Sequence, residues 1–199
     1  MDTIKVIDFL LALIGLIILS PVLILVALFI KLTSKGPVFF MQSRVGKDGK
    51  DFKVFKFRTM YTQAEKLGLL TVGGKDNRIT AIGYYLRKFK IDELPQLLNV
   101  LKGEMSLVGP RPEVRRYVDM YSIDQIKALN VLPGITDYAS IAYRNENEML
   151  ATASNPEEYY IKEIMPNKIE LNFKYINNRS VTEYFKIIGM TLLSAIKGK

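Results

Sequence analysis

This chain of 199 residues has no cysteine and no histidine. Without cysteine there is no disulfide framework, no thiolate metal site and no thiol nucleophile. Without histidine, Ser-His-Asp and Cys-His catalysis and zinc sites built on imidazole are excluded as well. Any catalytic acid, base or nucleophile must therefore come from Asp, Glu, Lys, Tyr, Ser or Thr, and carboxylates are the leading candidates.

Negative charge is also in short supply, because 28 Lys and Arg residues face 20 Asp and Glu residues and give a formal net charge of +8. A basic balance suits an anionic partner, which can be nucleic acid, a membrane surface or a phosphorylated substrate. The sequence carries no helix-turn-helix signature, no RNA-stacking motif and no zinc spacing. We therefore expect phosphate and membrane as partners, and no nucleic acid.

A long apolar run lies near the start of the chain. From Phe9 to Ile30 there are 22 residues without a charge. As one continuous helix they would measure about 33 Å, enough to cross a bilayer core. A secretory signal peptide is the weaker interpretation, because the run is long and no clean small-residue cleavage site follows it. The run predicts a membrane helix.

Two features modify this prediction. Ser20 and Pro21 lie near the middle of the run, so a kink or break is expected, with the Ser20 hydroxyl able to bind a carbonyl of the preceding turn. Lys5 precedes the run, while Lys31 and Lys35 follow it, which favours both ends on the cytoplasmic side. A helix that bends at Ser20-Pro21 and leaves by the face it entered fits both features. A kinked span is the alternative, since prolines are tolerated in spanning helices.

The pattern then changes to short strands. Residues 38–42 and 52–57 predict two strands, and the turn residues 46–49 between them predict a hairpin. Lys56 and Arg58 are two residues apart, so both side chains would leave one face of the second strand. Taken alone, such a pair is typical of a solvated strand face.

Residues 66–78 contain four glycine and lysine positions that come close to a P-loop: Gly68, Gly73, Gly74 and Lys75. The segment does not match, because Asp76 follows Gly74-Lys75 where Ser or Thr is needed, and the glycine spacing is wrong. A surface loop is expected here.

The rest of the chain is predicted to be mainly helical. One helix begins at Thr80 and runs to about Lys90, with Ile82, Leu86 and Phe89 on one face. The next has Asp92 as its N-cap, Gly103 as its stop, and an apolar stripe of Leu94, Leu97, Leu98 and Leu101. Further helices are predicted over Glu113–Tyr121, over Ile123–Asn130 with Ser122 and Gln125 at capping-box spacing, and from Asn155 to Met165 before an interruption at Pro166.

The last helix, Val181–Ile196, is amphipathic. Its apolar face consists of Val181, Tyr184, Phe185, Ile188, Leu192, Ala195 and Ile196. An ordinary core helix explains this pattern, and an interfacial helix lying on the membrane explains it equally well.

Two adjacent carboxylates, Asp92 and Glu93, lie at the start of the second of these predicted helices. Taken alone the pair is typical of a helix start, because Asp caps and Glu complements the helix dipole. Three facts favour a catalytic interpretation. The chain has no His or Cys, and the upstream cations Arg87, Lys88 and Lys90 can hold a phosphorylated ligand. A helix N-terminus also favours anions, so a phosphate and a carboxylate could both be accommodated there. A carboxylate can attack phosphorus to form an acyl phosphate, and the pair can share a Mg²⁺ ion with substrate phosphates.

A second constellation is the segment Leu107–Glu113, in which Pro110 and Pro112 flank Arg111. The two prolines fix the backbone on both sides, which limits the entropy lost in placing the guanidinium against a phosphate or carboxylate. A stiff loop with an exposed arginine is the plainer interpretation.

Eight motifs follow one another in order along the chain: Gln42-x-Arg44-x-Gly46, Lys56–Met60, Asp76-x-Arg78, Leu86–Lys88, Ile91–Gln96, Asn99–Gly103, Met105–Pro112 and Pro133–Thr136. In this order they resemble the bacterial sugar transferases called monotopic phosphoglycosyl transferases. The resemblance covers nearly the whole chain, and the stretch from Asp92 to Pro112 is its most specific part. The length is similar to that of minimal members, which lack extra membrane or nucleotide-binding domains.

The resemblance implies a two-step transfer. Asp92 matches the family's nucleophile, which would attack the β-phosphate of a UDP-sugar, release UMP and carry the phosphosugar covalently. Undecaprenyl phosphate would then accept the phosphosugar, the first membrane step of glycoconjugate biosynthesis. Glu93 matches the partner implicated in Mg²⁺ binding and proton handling. The substrate-binding residues expected are Lys56, Arg58, Arg87, Arg111, Tyr138 and Arg144.

The resemblance also implies an α+β, mainly helical fold. Residues 1–35 would form a re-entrant helix-break-helix element with its break at Ser20-Pro21. Residues 36–199 would form a cytoplasmic catalytic domain with a small β-hairpin and amphipathic interfacial helices, the last over residues 181–197. Such a protein would be monotopic on the cytoplasmic face of the bacterial inner membrane, with membrane lipids and downstream glycosyltransferases as further partners.

One segment departs from the family pattern. Many members read Pro-Gly-Ile-Thr-Gly-Trp-Ala-Gln, whereas this chain follows Thr136 with Asp137 and Tyr138. Arg144 and Asn145 match the family further on. Tyr138 keeps an aromatic face that can stack on uracil or sugar, but the substitutions leave the donor sugar open, as they leave the pathway and the oligomeric state.

Two other functions compete with a sugar transferase. One is a non-catalytic, membrane-tethered assembly protein of a polysaccharide pathway, against which the intact Asp92, Glu93 and Arg111 argue. The other is a different lipid-phosphate enzyme, such as a phosphatase.

Overall fold

The structure is a computed structural model that describes residues 3–62, 64, 70–73 and 76–197. Gly68, Gly74 and Lys75 of the P-loop-like segment lie outside these residues, so the loop expected there stays a prediction. The helices are α1 (Thr3–Thr33), α2 (Ala81–Lys88), α3 (Leu97–Leu101), α4 (Arg115–Val118), α5 (Ile123–Ile126), α6 (Tyr138–Ala142), α7 (Glu146–Thr152), α8 (Pro156–Tyr159), α9 (Met165–Asn177) and α10 (Val181–Lys197). The strands are β1 (Phe39–Val45), β2 (Asp51–Phe57), β3 (Ser106–Val108) and β4 (Gly134–Thr136). The mainly helical α+β class and the small hairpin are thereby confirmed.

Helix α1 runs through Pro21 without a break in its helical assignment. The Ser20 hydroxyl donates a hydrogen bond to the Ile17 carbonyl at 2.8 Å, as predicted, and so binds the acceptor whose partner Pro21 cannot supply. The expected interruption at Ser20-Pro21 is therefore not seen in the secondary structure. Within the described residues α1 is the one helix long and apolar enough to cross a membrane, with a mean hydropathy of 3.1.

A single stripe of α1 packs against the rest of the protein along its whole length. Near the N-terminus Ile4 joins a cluster with Val108 and Tyr184. Farther along, Ala12 packs with Leu97, Val100 and Met105, and Ile30 packs with Phe57 and Leu86 close to the C-terminal end. The other faces expose large apolar side chains such as Ile17, Ile18 and Ile24.

The N-terminal part of α1 is tied to the domain by a buried carboxylate. Asp8 is 3% exposed. Its Oδ1 accepts hydrogen bonds from the Leu107 backbone N–H at 2.9 Å and from the Tyr184 hydroxyl at 2.7 Å. Because a buried carboxylate needs such donors, Asp8 fixes α1 to both β3 and α10.

The hairpin of β1 and β2 is antiparallel, with Phe39 opposite Phe57 and Val45 opposite Asp51. Its turn contains Asp48 and Gly49, both with positive φ, which turn residues of these types tolerate. The predicted hairpin and turn are confirmed, although each strand is longer than the pattern indicated.

A second, parallel pair of strands brings two distant motifs together. Ser106 in β3 pairs with Gly134 in β4. A Cβ atom at Gly134 would collide with the backbone of Gly109, so only glycine allows this approach. The pair places the segment after Thr136 beside the loop that carries Arg111.

The helix predictions around the carboxylate pair are right in outline and wrong in two details. Thr80 caps α2 by accepting from the Gly83 N–H at 3.0 Å, as expected. Phe89, however, is 64% exposed, because α2 already ends at Lys88 and the chain turns away from the core there. Leu98 also points outward, while the stop at Gly103 is confirmed by its φ of 73°.

The predicted N-cap role of Asp92 is wrong. Residues Ile91–Gln96 form a 3₁₀ helix that leads into α3, and its N-cap is Lys90 with φ 58°. Asp92 is inside the first turn, and its Oδ1 accepts no hydrogen bond from the described residues, whereas an N-cap side chain binds a backbone N–H of that turn. Its carboxylate is therefore not used to start the helix.

The later helices form the main core. Its buried members are Val114, Tyr117, Ala128, Leu150, Tyr160, Ile164, Met165 and Ile169. Ser122 and Gln125 form the predicted capping box and Asn155 caps α8, but the helix predicted over 113–121 shortens to α4. The interruption predicted at Pro166 is wrong, because a π-helical turn over Tyr160–Ile164 widens the chain just before the proline and lets the helix continue into α9.

Helix α10 has two apolar sides. Tyr184 and Ile187 are fully buried against the core, which confirms the core interpretation and adds Ile187 to the predicted face. Phe185 and Leu192 are 47% and 60% exposed, so these members of the predicted face point away from the protein. The exposed side is available for an interfacial role.

The hydrogen bonds of Asp8 predict that substitutions of Asp8 and Tyr184 change the stability of the protein in a non-additive way. Replacing Asp8 with Ala leaves the Leu107 N–H and the Tyr184 hydroxyl without a partner, which should cost about 2 kcal/mol or more. For a chain of this size we expect the midpoint of thermal unfolding in detergent to fall by about 4–8 °C. An Asp8→Ala, Tyr184→Phe double variant should be less destabilised than the sum of the two single variants. Ile18→Ala, at an exposed position of the same helix, is the control, and purely additive effects would contradict the tie.

Candidate active site

The chain reverses sharply just before the carboxylate pair. Lys90 adopts the left-handed conformation that non-glycine residues rarely take. Its N–H donates to the Arg87 carbonyl at 3.2 Å, and its own carbonyl accepts from the Glu93 N–H at 3.3 Å. The turn thus presents Asp92 and Glu93 at the beginning of the 3₁₀ helix, facing an open cleft of about 970 Å³ that both of them line.

Glu93 is the charge partner of two cations. Its Oε1 accepts from the Lys56 ammonium at 3.1 Å, and the Arg111 guanidinium binds both carboxylate oxygens, with Nη1 at 3.0 Å from Oε2 and Nη2 on Oε1. Burial acts to raise the pKa of Glu93, but Arg111 and Lys56 outweigh it and hold that pKa well below its usual range. Glu93 is therefore ionised at neutral pH.

Asp92 is in the opposite situation. It is 8% exposed, and its Oδ1 is buried without a hydrogen-bond partner in the described part of the chain. Burial, followed by the neighbouring Glu93, raises the pKa of Asp92. A buried, unpartnered carboxylate costs stability, so it is the kind of feature found at functional sites.

Lys56 reaches the pair because a buried amide on α3, the helix that continues the 3₁₀ helix, holds β2. Asn99 is fully buried and its Oδ1 accepts from the Phe55 N–H at 3.0 Å. Its Nδ2 donates to the Lys53 carbonyl at 2.7 Å and to Glu104 at 2.8 Å. Desolvation lowers the pKa of Lys56, although Glu93 opposes the shift. The pairing of Lys56 with Glu93 replaces the solvated strand face expected from the pattern alone.

The loop that carries Arg111 is fixed from two sides. The Arg44 guanidinium donates to the Pro112 carbonyl at 3.2 Å and to Glu113 at 3.0 Å. On the other side Asp137 accepts from the Arg111 backbone N–H at 3.0 Å. The prolines alone would stiffen this loop, but these two contacts also set its position.

Four predicted substrate residues have partners away from the carboxylate pair. The Arg58 guanidinium binds the Ser34 carbonyl and hydroxyl at 2.8 Å and the Lys35 carbonyl, so it anchors the end of α1. Arg87 donates to the Thr71 hydroxyl at 2.9 Å. Both side chains still line the cleft.

Tyr138 and Arg144 instead brace α10. The Tyr138 hydroxyl donates to Glu183, and the Lys186 ammonium lies 5.7 Å from the centre of the Tyr138 ring. Arg144 donates to the Ser194 carbonyl and hydroxyl. Arg144 lines the cleft, whereas the Tyr138 ring expected to stack on a base or sugar is directed towards α10.

Four residues that position the site were not among the predicted site residues: Asp8, Arg44, Asn99 and Asp137. Arg44 and Asn99 lie inside motifs of the family resemblance, which was the available signal for them. The partners of Asp8 are far away in the chain, and no local pattern identifies it. Asp137 stands out in the sequence only as a departure from the family pattern, and its contact with the Arg111 N–H joins residues 26 apart.

These features define a protein with one long apolar helix and a carboxylate site surrounded by cations. The family of bacterial sugar transferases matches residues 2–198. The chain belongs to the bacterial sugar transferase family.

Several relatives cover almost the whole chain. It is 38% identical over 194 residues to the UDP-N-acetylgalactosamine-undecaprenyl-phosphate N-acetylgalactosaminephosphotransferase of Aeromonas hydrophila, which covers 96% of this chain and 43% of the relative. It is 37% identical over 200 residues to the UDP-glucose:undecaprenyl-phosphate glucose-1-phosphate transferase of Escherichia coli K12, covering 96% and 40%. A Caulobacter vibrioides protein of the same name is 35% identical, covering 96% and 69%. The chain thus spans about two fifths of the length of the first two relatives.

The contrast between the two carboxylates predicts opposite effects on stability. Asp92→Asn removes a buried charge whose pKa is raised by folding, so the midpoint of thermal unfolding should stay equal or rise by up to about 4 °C. Glu93→Gln leaves Lys56 and Arg111 without their anion, which should cost about 2 kcal/mol and lower the midpoint by several degrees. If Asp92→Asn were as destabilising as Glu93→Gln, the Asp92 carboxylate would have a partner in the folded protein.

Proposed function

We propose that this protein transfers a sugar 1-phosphate from a UDP-sugar to undecaprenyl phosphate and releases UMP. The observation that carries the proposal is the free Asp92 oxygen beside a Glu93 that already satisfies Lys56 and Arg111. The names of relatives that cover 96% of the chain support the same reaction class. Because those relatives are named for different sugars, the donor sugar is to be found by assay.

In the first step Asp92 attacks the β-phosphorus of the donor. A bond forms between a carboxylate oxygen and phosphorus, and the bond from the β-phosphorus to the oxygen that bridges the two phosphates breaks. UMP leaves with that oxygen and its electron pair, and the sugar 1-phosphate stays on Asp92 as an acyl phosphate. Charge on the phosphoryl oxygens is stabilised by the cations beside Asp92, which Glu93 holds in place before the substrate arrives.

In the second step a phosphate oxygen of the polyprenyl acceptor attacks the same phosphorus. The acyl phosphate bond breaks, Asp92 returns as a carboxylate, and the product is a diphosphate-linked lipid. No proton has to be moved when the acceptor phosphate is fully ionised. This agrees with the low pKa of Glu93. A residue that stays ionised is suited to orienting cations and poorly suited to donating a proton.

A Mg²⁺ ion fits this site in part. Within the described residues no group of three or more acidic side chains is arranged to hold a metal, but Mg²⁺ commonly uses one or two carboxylates together with substrate phosphates. Asp92 offers a buried oxygen without a partner, while both Glu93 oxygens already accept from cations. Asp92 would therefore be the main protein ligand with Glu93 beside it, and the ion would neutralise the charge of the diphosphate.

A monotopic, re-entrant arrangement of α1 on the cytoplasmic face is part of the proposal. Both ends of α1 are bound to the same domain, through Asp8 near the start and through Arg58 on Ser34 and Lys35 after the end. A helix that carried one end across a bilayer could not keep both contacts, so this pairing favours entry and exit by one face. The exposed apolar side of α10 would lie on the same surface.

The reaction predicts a clear assay result. With a panel of UDP-sugars and undecaprenyl phosphate, the wild-type protein in detergent should release UMP from at least one donor. Asp92→Asn should lose at least about 10³-fold in rate, because the nucleophile is gone, and should keep its fold. Without acceptor, wild-type protein should retain label from the sugar of the donor, whereas Asp92→Asn should retain none.

Asp124→Asn is the matched control, because Asp124 is an exposed carboxylate paired with Lys127 on the surface. It should turn over like wild type. Chelation of divalent cations should stop UMP release and re-addition of Mg²⁺ should restore it. Absence of UMP with every donor would favour the assembly-protein alternative, and release of inorganic phosphate from the lipid would favour a phosphatase.

The topology has its own prediction. The chain has no native cysteine, so Thr3→Cys and Lys35→Cys place single thiols at exposed positions on either side of the apolar run. In intact spheroplasts an impermeant maleimide should label neither, and in inverted vesicles it should label both, as it should an Asp124→Cys control in the domain. Labelling of Thr3→Cys in intact spheroplasts would show a true span.

A further inference from the structure

Asp137 is a buried carboxylate that binds two separate parts of the chain. It follows β4 directly and is 1% exposed. Its Oδ1 accepts from the Ser140 N–H and so caps α6. Its Oδ2 accepts at 3.0 Å from the backbone N–H of Arg111, 26 residues earlier.

Capping alone does not account for this residue. A cap needs one oxygen, which Ser, Thr or Asn supply as well as Asp. The second oxygen of Asp137 accepts from the backbone N–H of Arg111, which lies on the loop after β3. The Arg111 side chain in turn binds Glu93.

The contact acts at a sensitive point of the site. The Arg111 guanidinium binds both oxygens of Glu93, which adjoins Asp92. Arg44 fixes the carbonyl of Pro112 on the C-terminal side of Arg111, and Asp137 fixes the N–H of Arg111 itself. These two contacts fix the backbone on both sides of the Arg111 Cα atom. They therefore set the position from which the Arg111 side chain extends towards Glu93.

We propose that Asp137 is a positioning residue that holds Arg111 in the orientation needed for phosphoryl transfer. The proposal rests on the proposed function and adds a residue to it. Asp137 does not touch the reacting atoms. It acts through the Arg111 backbone, so its removal should disturb the transition state more than the binding of the donor, since small displacements of a charge-stabilising group lower the rate.

The test is a double-variant cycle on UMP release. Asp137→Asn keeps one acceptor oxygen for the Ser140 N–H but turns an amide N–H₂ towards the N–H of Arg111. We expect kcat to fall about 10- to 100-fold with KM within about threefold of wild type. Ser122→Ala, which removes the cap of the exposed helix α5, is the control for cap loss and should leave kcat unchanged.

The decisive readout is the Arg111→Ala background. If Asp137 acts through Arg111, adding Asp137→Asn to Arg111→Ala should change kcat by less than about threefold. Multiplied effects of the two substitutions, or a folded Asp137→Asn enzyme with wild-type kcat, would overturn the proposal. Should Asp137→Asn fail to fold, Asp137→Ser, which keeps the cap and cannot reach Arg111, serves in the same cycle. A wild-type protein that releases no UMP would instead overturn the proposed function, and the positioning role with it.

Discussion

The ion-pair cluster of Glu93 with Lys56 and Arg111 controls the charge of the site. Both Glu93 oxygens are occupied by donors from two different segments, one on β2 and one on the loop after β3. Lys56 and Arg111 form their ion pairs with Glu93 and not with Asp92. The Oδ1 atom of Asp92 is therefore buried without a hydrogen-bond partner among the described residues. The two adjacent carboxylates thus differ because the cations contact Glu93 and leave Asp92 without a charge partner.

Other parts of the structure serve that cluster. Asn99 holds β2 against α3 and so positions Lys56, while Arg44 and Asp137 hold the Arg111 loop from opposite sides. Asp8 binds the Leu107 N–H in β3, the strand that leads into the same loop, and joins that strand to α1. The long apolar helix and the carboxylate site are therefore one connected unit.

Much of this could be predicted from local patterns. The hairpin, the Thr80 and Ser122 caps, the Gly103 stop and the apolar run of α1 depend on neighbouring residues, and the structure confirms them. Asp92 as a helix cap and the interruption at Pro166 were wrong, because a left-handed Lys90 and a π-helical turn replaced the regular geometry that the patterns assume. The contacts of Asp8 with Leu107 and Tyr184 and of Asp137 with Arg111 could not be predicted, because only the folded chain brings these distant segments together. The bend of α1 in a membrane stays a prediction.

The central claim is that Asp92 carries the phosphosugar, and the most direct measurement is to locate the acyl phosphate. The protein would be incubated with donor and no acceptor, treated with borohydride, which converts an aspartyl phosphate to homoserine, and digested with trypsin. The cleavage sites after Lys90 and Lys102 give one peptide, Ile91–Lys102, that contains both carboxylates. The account predicts homoserine at position 92 and an unchanged Glu93. Modification at Glu93, or turnover with no modified residue at all, would contradict it.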